Sequence, residues 1–422
     1  MNDSLKTREV SAIQRPFKVS MNLPGSKSII LRQLVISALC RNSTTLLGCT
    51  PSDDVETMVD CLRRLGAHVD IEQDQFNVDP KQIDWLSDVE LNLRQSGLSL
   101  RLLLGFAALR MGETRFVGDE SLRLRPQKDL LDALRSLDCQ IECSNDTLPI
   151  TIRGNRTGGA VKLNTSVSSQ YLTALLVAGP LFEEGLNIRL TDQQVSSSYI
   201  DITINEMRRR GYVPKRHEQG YWVSPGNYDE GKFRIEGDAS AASYFAALAT
   251  LHGSRVTFRN LGSESRQGDC GFFNVCSDLG ARLSQTLDST TVEGNGTLRG
   301  LETVDMIQMP DAALTVMALA PYLPTPTSIT GLASLPFKEC DRIACPSKEL
   351  RKAGVVVHED SDRVLVEPSL PVATRFETYR DHRMAMALSV LASKIPNCSI
   401  VDPDCVNKTY PGYWNDFDAL YS

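Results

Sequence analysis

A helix ending that recurs five times at nearly constant spacing constrains this chain more than any other feature. It reads "LRRLGAHV" at 62–69, "LRSLDCQI" at 134–141, "MRRRGYV" at 207–213, "CSDLGARL" at 276–283 and "LRKAGVVV" at 350–357. The stop residues Gly66, Asp138, Gly211, Gly280 and Gly354 are separated by 72, 73, 69 and 74 residues. Four of the five are glycine, which reaches the left-handed conformation that closes a helix at little steric cost. Basic residues often precede the stop, as suits a helix C-terminus. Each stop is followed by a short strand, a polar turn and a second strand, as in "VVVHEDSDRVLVEP". A period near 72 divides the 422 residues into nearly six α/β units, the last running through "HRMAMALSVLAS" without a hairpin. One hydrophobic core rarely grows past roughly 250–300 residues, so two domains of three units each is the simplest packing. The period is too long for an ordinary solenoid. The first helix, 28–40, is expected to be amphipathic, with Ile30, Leu31, Leu34, Val35, Ala38 and Leu39 on one broad apolar face.

Charge narrows the function. Lys+Arg 45 against Asp+Glu 52 gives a net charge of -7, which argues against a general nucleic-acid binder. Any anion must be gripped locally. Eleven scattered cysteines and five histidines show no zinc-ligand spacing, so no structural zinc site is expected, and the thiols fit a reducing compartment. The N-terminus lacks the apolar run of a secretory signal. No stretch reaches the ~18 consecutive apolar residues of a membrane helix. A cytoplasmic protein, acting without nucleic acid or membrane, is the expectation.

Several clusters place basic or hydroxyl residues at helix starts, where free backbone N–H groups and the helix dipole favour anions. "LPGSKSIILR" at 23–32 puts Lys27 at a helix mouth, with Ser28 and Arg32 one turn apart; its spacing is not that of a Walker A loop. "SVSSQYLTALL" sets Ser168 and Ser169 before an apolar helix that Gln170 opens. In "QSGLSLRLLL", Gly97 would let a ligand approach the backbone. In "LRLRPQKDLLDAL", Pro126 reads as a first-turn residue and Arg125 precedes it. The second half adds Asp311 in "MPDAAL", Lys338, Glu339, Asp341 and Arg342 in "PFKECDRI", Asp381, His382 and Arg383 in "YRDHRMAMAL", and Lys408 in "NKTYPGYW". An arginine opening a helix opposes the dipole, and an anionic ligand would remove that penalty. Taken singly, each cluster also reads as capping, close packing or a solvated charged face.

Taken together and in order, "LPGSKS", "SSQYLTALL", "EGDASAASYF", "PDAA", "KECDR", "DHRMAMA" and "KTYP" closely resemble the 5-enolpyruvylshikimate-3-phosphate (EPSP) synthase family, the 3-phosphoshikimate 1-carboxyvinyltransferases. The resemblance runs from residue 23 to residue 411. It implies an α/β fold of two domains, each of three repeated βαβαββ units (inverted α/β barrel halves). The first domain would span 25–236 and the second would combine 1–24 with 237–422, with the hinge near 22–26 and 234–239. Substrates would lie between domains that close on them.

The implied reaction moves the enolpyruvyl group of phosphoenolpyruvate (PEP) to the 5-hydroxyl of shikimate 3-phosphate, giving EPSP and phosphate without a cofactor, and a monomer is expected. Carried over by motif, Ser28, Arg32, Ser168, Ser169, Gln170, Ser196, Tyr199 and Lys338 would hold shikimate 3-phosphate. Lys27, Gly97, Arg125, Arg342, Arg383 and Lys408 would face PEP. Asp311 would take the proton from the attacking hydroxyl, and Glu339 with Lys27 would deliver one to the PEP methylene carbon.

The sequence departs from the family pattern at Ile30-Leu31, at Gln95-Ser96-Gly97-Leu98 with Leu102, at Ser196-Ser197-Ser198-Tyr199, and at Ser334, where the family has an asparagine on the shikimate side. Bulk at Leu98 and Leu102 behind Gly97 predicts a tight PEP pocket and poor glyphosate binding. A related enolpyruvyl transferase with another hydroxyl acceptor, or a non-catalytic homologue, is the alternative.

Overall fold

The structure, a computed structural model, describes residues 6–191 and 197–421. Its contacts divide the chain into two compact units. One is Gly25–Ile235; the other joins the chain up to Pro24 to the chain from Glu236 onward. Glu236, expected in the first domain, falls in the second unit.

All five anticipated helix stops are left-handed. Gly66, Gly211, Gly280 and Gly354 have φ of 97°, 74°, 104° and 81°, and Asp138 has φ 61°. Aspartate takes that conformation more readily than most side chains, so the one non-glycine stop obeys the same rule. They end the helices Asp53–Arg64, Lys128–Arg135, Ser197–Arg209, Phe272–Asp278 and Ala344–Lys352. A β-hairpin follows each one. In every case the hairpin's second strand lies antiparallel to a strand that itself pairs in parallel with one more, making a four-stranded sheet. Five such sheets are present among the described residues, with a sixth sheet of three strands built from Thr7–Val10, Cys398–Val401 and Arg375–Phe376. The last unit, which lacks the hairpin, is completed by the N-terminal strand instead. Three sheets belong to each unit.

Six further helices form the cores. In the unit Gly25–Ile235 these are Lys27–Ala38, Gly97–Ala107 and Gln170–Ala178, packed on one another. In the other unit they are Ala239–Leu251, Ala313–Leu319 and His382–Ala392, also mutually packed. The expected one-faced pattern of the first helix is not what forms, because every residue from Ile29 to Ala38 is buried. Its polar side is covered by polar partners: Gln33 Nε2 donates to Glu206 Oε2 at 2.7 Å, and Arg210 Nη1 donates to Gln33 Oε1 at 2.8 Å. A buried polar group is tolerated only when so paired. The helices Gly97–Ala107 and Gln170–Ala178 approach closely at Gly105, where a Cβ would lie 2.6 Å from the Ala174 carbonyl oxygen. Any side chain at 105 would drive these two helices apart.

Pro126 corrects another expectation. The helix begins at Lys128, two residues later. Its carbonyl serves as an acceptor instead, taking hydrogen bonds from Tyr171 Oη at 2.6 Å and Arg101 Nη2 at 3.3 Å.

Candidate active site

Lys27, Gly97, Gln170, Asp311 and Arg383 lie at or just before the first turns of core helices, while Arg125, Tyr199, Lys338, Glu339, Arg342 and Lys408 lie in other segments.

In the unit Gly25–Ile235, Lys27 is the first residue of its helix, and Nζ lies 3.1 Å from Asp54 Oδ2. Asp54 is buried in the first turn of Asp53–Arg64. Sequence reasoning missed it, because "DDVE" at a helix start reads simply as acid complementing the dipole. Gly97 opens its helix beside two guanidinium groups: a Cβ there would lie 2.5 Å from Arg101 Nη1 and 2.8 Å from Arg125 Nη1. Both arginines are buried. Arg101, one turn after Gly97, shares the Pro126 carbonyl with Tyr171. Leu98 and Leu102 are core residues at 6% and 1% exposure, and beyond the glycine's chain neighbours the side chains nearest a Cβ at 97 are those of the two arginines.

Ser168 Oγ accepts from Gln170 N at 3.2 Å, and Ser169, itself buried, immediately precedes the helix. Gln170 Oε1 is buried and takes no hydrogen bond among the described residues. Arg32 is almost wholly buried and already engaged. It donates to the Ser28 carbonyl (2.7 Å), Thr203 Oγ1 (2.9 Å), the Tyr199 carbonyl (3.2 Å) and Thr173 Oγ1 (3.4 Å). Four of its five N–H groups are thus engaged, one on Ser28, one on Tyr199 and two on threonine hydroxyls, leaving one for a ligand. Burial lowers its pKa to about 10, and it stays charged. Tyr199 is half-buried, while Ser196 lies outside the described residues.

In the other unit, four cations and three carboxylates interlock. Asp311 sits in the turn Pro310–Ala312, just ahead of Ala313–Leu319. Its Oδ1 accepts from Arg342 Nη1 at 3.0 Å and lies 3.5 Å from Lys338 Nζ, while its Oδ2 accepts from Arg383 Nη2 at 2.9 Å. Arg342 Nη2 also donates to Glu339 Oε2 at 2.8 Å, and Lys408 Nζ is 4.0 Å from Glu339 Oε1. Asp381 holds Arg342 from behind and also caps its own helix, accepting from Arg383 N at 2.9 Å. The dipole penalty expected for Arg383 is therefore met inside the protein by Asp381 and Asp311. Burial pulls the Arg342 pKa down, but the Asp381, Glu339 and Asp311 carboxylates together push it above its usual value. Burial pulls the half-buried Lys338 ammonium down, opposed by Asp311. Ser334 is buried where the turn Leu335–Phe337 begins.

Such a cluster holds carboxylates ready to move protons, with cations that suit phosphate and carboxylate groups. Arginine forks fixed by buried acids cannot swing away, which gives geometric selectivity for planar or tetrahedral oxyanions.

Comparison with known proteins points the same way. Residues 12–417 match the model of the family described as EPSP synthase (3-phosphoshikimate 1-carboxyvinyltransferase). The 3-phosphoshikimate 1-carboxyvinyltransferase of Serratia proteamaculans (strain 568) is 36% identical, with 100% of this chain and 99% of that one covered. The chloroplastic enzyme of Brassica napus is also 36% identical, over 98% of this chain and 84% of its own. Among solved structures, EPSP synthase from Acinetobacter baumannii superposes with TM-score 0.82 at 20% identity, with 98% of each chain covered. The enolpyruvyl transferase NikO from Streptomyces tendae superposes with TM-score 0.77 at 17% identity, over 98% of this chain and 96% of that one. At such identities the two solved structures speak for the fold alone.

Proposed function

Since this chain belongs to the EPSP synthase (3-phosphoshikimate 1-carboxyvinyltransferase) family, we propose how its own residues perform that family's reaction. The enzyme transfers the enolpyruvyl group of PEP to the 5-hydroxyl of shikimate 3-phosphate and releases phosphate. Fold alone would not choose this acceptor, because an enolpyruvyl transferase of another name shares the fold. Identity of 36% along the full length of enzymes named for this acceptor does choose it.

The chemistry is addition followed by elimination. The 5-hydroxyl attacks C2 of PEP while C3 gains a proton; then C3 loses a proton and the C–O bond to phosphate breaks. Asp311 takes the hydroxyl proton and gives it up to the departing phosphate, and Glu339, together with Lys27, carries the other proton to and from C3. Each role is general acid–base work, worth about 10²–10⁴ in rate. The observation that carries this reading is the Asp311 carboxylate held by Arg342, Lys338 and Arg383 at 3.0, 3.5 and 2.9 Å. That grip favours the ionised base and fixes its direction.

Arg125, Arg342, Arg383 and Lys408, with the open backbone at Gly97, bind the phosphate and carboxylate of PEP. Ser28, Ser168, Ser169, Gln170, Ser196, Tyr199, Ser334 and Lys338 bind shikimate 3-phosphate, and Arg32 contributes one donor while ordering Ser28 and Tyr199. Gly25–Ile235 and the unit completed by the N-terminal strand are the two domains of this enzyme, each with its own set of residues, and turnover needs both sets. We further propose a monomer acting in the cytoplasm, to be checked by light scattering of the purified protein and by fractionation of cells. No helix among the described residues is long and apolar enough to cross a membrane.

The deciding experiment mixes the purified protein with PEP and shikimate 3-phosphate and follows phosphate release. Phosphate and EPSP should appear in equal amounts. Release with a different hydroxyl acceptor and none with shikimate 3-phosphate would overturn the assignment.

A further inference from the structure

Behind Asp311 lies a second carboxylate that no sequence motif singled out. Asp269 belongs to "RQGDCG" and sits in the short turn Gly268–Gly271, which packs against the start of the helix Ala239–Leu251. Gln267 fastens this turn: its Oε1 accepts from Ala239 N at 3.0 Å, and its Nε2 donates to the Gly237 carbonyl at 2.8 Å. Asp269 is 6% exposed. Its Oδ2 is hydrogen-bonded to the Ser240 hydroxyl, while its Oδ1 is buried and takes no hydrogen bond among the described residues. Ser240 Oγ accepts in turn from Arg383 Nη2 at 3.3 Å, and the same nitrogen donates to Asp311 Oδ2 at 2.9 Å. One guanidinium nitrogen thus bridges a buried acid, through a serine, to the proposed catalytic base.

We propose that Asp269 is a positioning residue that, through Ser240, holds Arg383 against Asp311 and, by gaining or losing its own proton, sets how basic Asp311 is. This rests on the reading of Asp311 as the base that deprotonates the 5-hydroxyl.

The physical reason lies in the charges around Asp269. Those facing it are Asp311 from the turn Pro310–Ala312, Arg383 from the helix His382–Ala392, and Asp238 at the head of the helix Ala239–Leu251. Two buried acids share one arginine, so each resists the ionisation of the other. Burial, then the Asp311 charge, pushes the Asp269 carboxyl up to about 6, which lies in the working range of most enzymes.

Above that pH Asp269 is ionised. The Ser240 hydroxyl must then donate to it, leaving a serine lone pair for Arg383. The added negative charge also raises the proton affinity of Asp311. Below that pH the protonated carboxyl can itself donate to Ser240, whose O–H is then released to turn and no longer fixes the lone pair that meets Arg383, and without the Asp269 charge Asp311 becomes a weaker base.

The experiment uses Asp269→Asn and Ser240→Ala in the full chain, with thermal melts to establish that each is folded. Asparagine keeps the size and a hydrogen bond to Ser240 but cannot ionise. In the wild type, kcat should rise with pH through about 6. In D269N that limb should flatten, with kcat close to wild type at low pH and lower by about tenfold above pH 7, the size expected for weakening a general base. S240A should keep the limb but raise KM for PEP, because Arg383 has lost its tether.

Carboxyl-labelled aspartate followed by NMR reads the same group without turnover. One resonance should titrate near pH 6 and vanish in D269N, and the Asp311 midpoint should fall in that variant. A pH profile of D269N that overlays the wild type, an Asp269 resonance titrating near 4, or S240A with unchanged KM for PEP would each overturn the proposal. A wild-type protein that titrates as described but releases no phosphate would instead sink the assigned reaction.

Discussion

Arg342 and Asp381 are joined at two points, Nε donating to Oδ2 at 2.8 Å and Nη2 donating to Oδ1 at 3.0 Å. Asp381 is fully buried, and 1% of Arg342 is exposed. The pair fixes the plane of the guanidinium, so its other edge meets Asp311 and Glu339 at set distances. Lysine has one nitrogen and no plane to fix. Arg342→Lys should therefore lower kcat by two orders of magnitude or more, with weakened PEP binding. Asp381→Ala leaves a buried cation short of its partner, and losing half of a buried pair costs about 3–5 kcal/mol. Urea unfolding monitored by fluorescence reads that loss; a cost under ~1 kcal/mol, the size seen for exposed pairs, would show that Asp381 does not anchor Arg342.

Asp311→Asn separates chemistry from binding. The amide cannot accept the 5-hydroxyl proton, so kcat should fall by about 10²–10⁴. Arg342, Arg383 and Lys338 lose a counter-charge that now lies at 3.0, 2.9 and 3.5 Å. They become more available to an incoming oxyanion, and PEP should bind as tightly as before or more so. Calorimetric titration with PEP checks this. A variant that loses kcat and PEP affinity in parallel would mean that Asp311 acts only as a structural counter-ion.

Gly97, proposed to face PEP, has no room for a side chain. A methyl group there would press on Arg101 and Arg125 from 2.5 and 2.8 Å. Gly97→Ala should raise KM for PEP by about tenfold while kcat changes by no more than about threefold, the pattern for lost uniform binding. The same crowding leaves little room for glyphosate, and the wild type should be poorly inhibited by it. A steady-state inhibition series against PEP measures this, and strong competitive inhibition would count against a crowded pocket.

The periodic architecture was legible because left-handed stops, hairpins and basic helix ends are local chemistry. Even Asp138, the irregular stop, adopts φ 61°. The burial of whole helices was not legible. The burial of Arg32, Gln33 and Arg210 has no local signature, because their partners Thr203, Glu206 and Thr44 lie far away in sequence. For the same reason Asp54 and Asp269 escaped notice. Each lies in an ordinary helix start or turn, and only tertiary packing sets it against Lys27 or Ser240. Motif resemblance identified Asp311, Glu339 and the cations, but it did not reveal that the acids hold the cations in position.

The last prediction concerns acid stability and rests on His252. This histidine is buried at 9% exposure, and its Nε2 lies 2.8 Å from Ser393 Oγ. Burial, then the nearby Lys394 charge, lowers its pKa to about 3. In the unfolded chain it would titrate near the ordinary value of about 6.5. Between those values the unfolded state binds a proton that the folded state refuses, so stability is intact above pH 6.5 and is lost as pH falls toward 3. One proton contributes about 1.4 kcal/mol per pH unit, or roughly 2 kcal/mol between pH 6.5 and 5. Asp269 acts in the opposite sense. Its raised pKa adds stability as pH falls from 6 toward 3.8, so it cannot produce the same loss. His252→Asn keeps a polar group for Ser393 but removes the titration. Its unfolding free energy should be lower than wild type at pH 8 and should decline less steeply on acidification, by close to one proton. Chemical denaturation at a series of pH values gives both slopes, and parallel slopes would show that His252 titrates alike in the folded and unfolded chain.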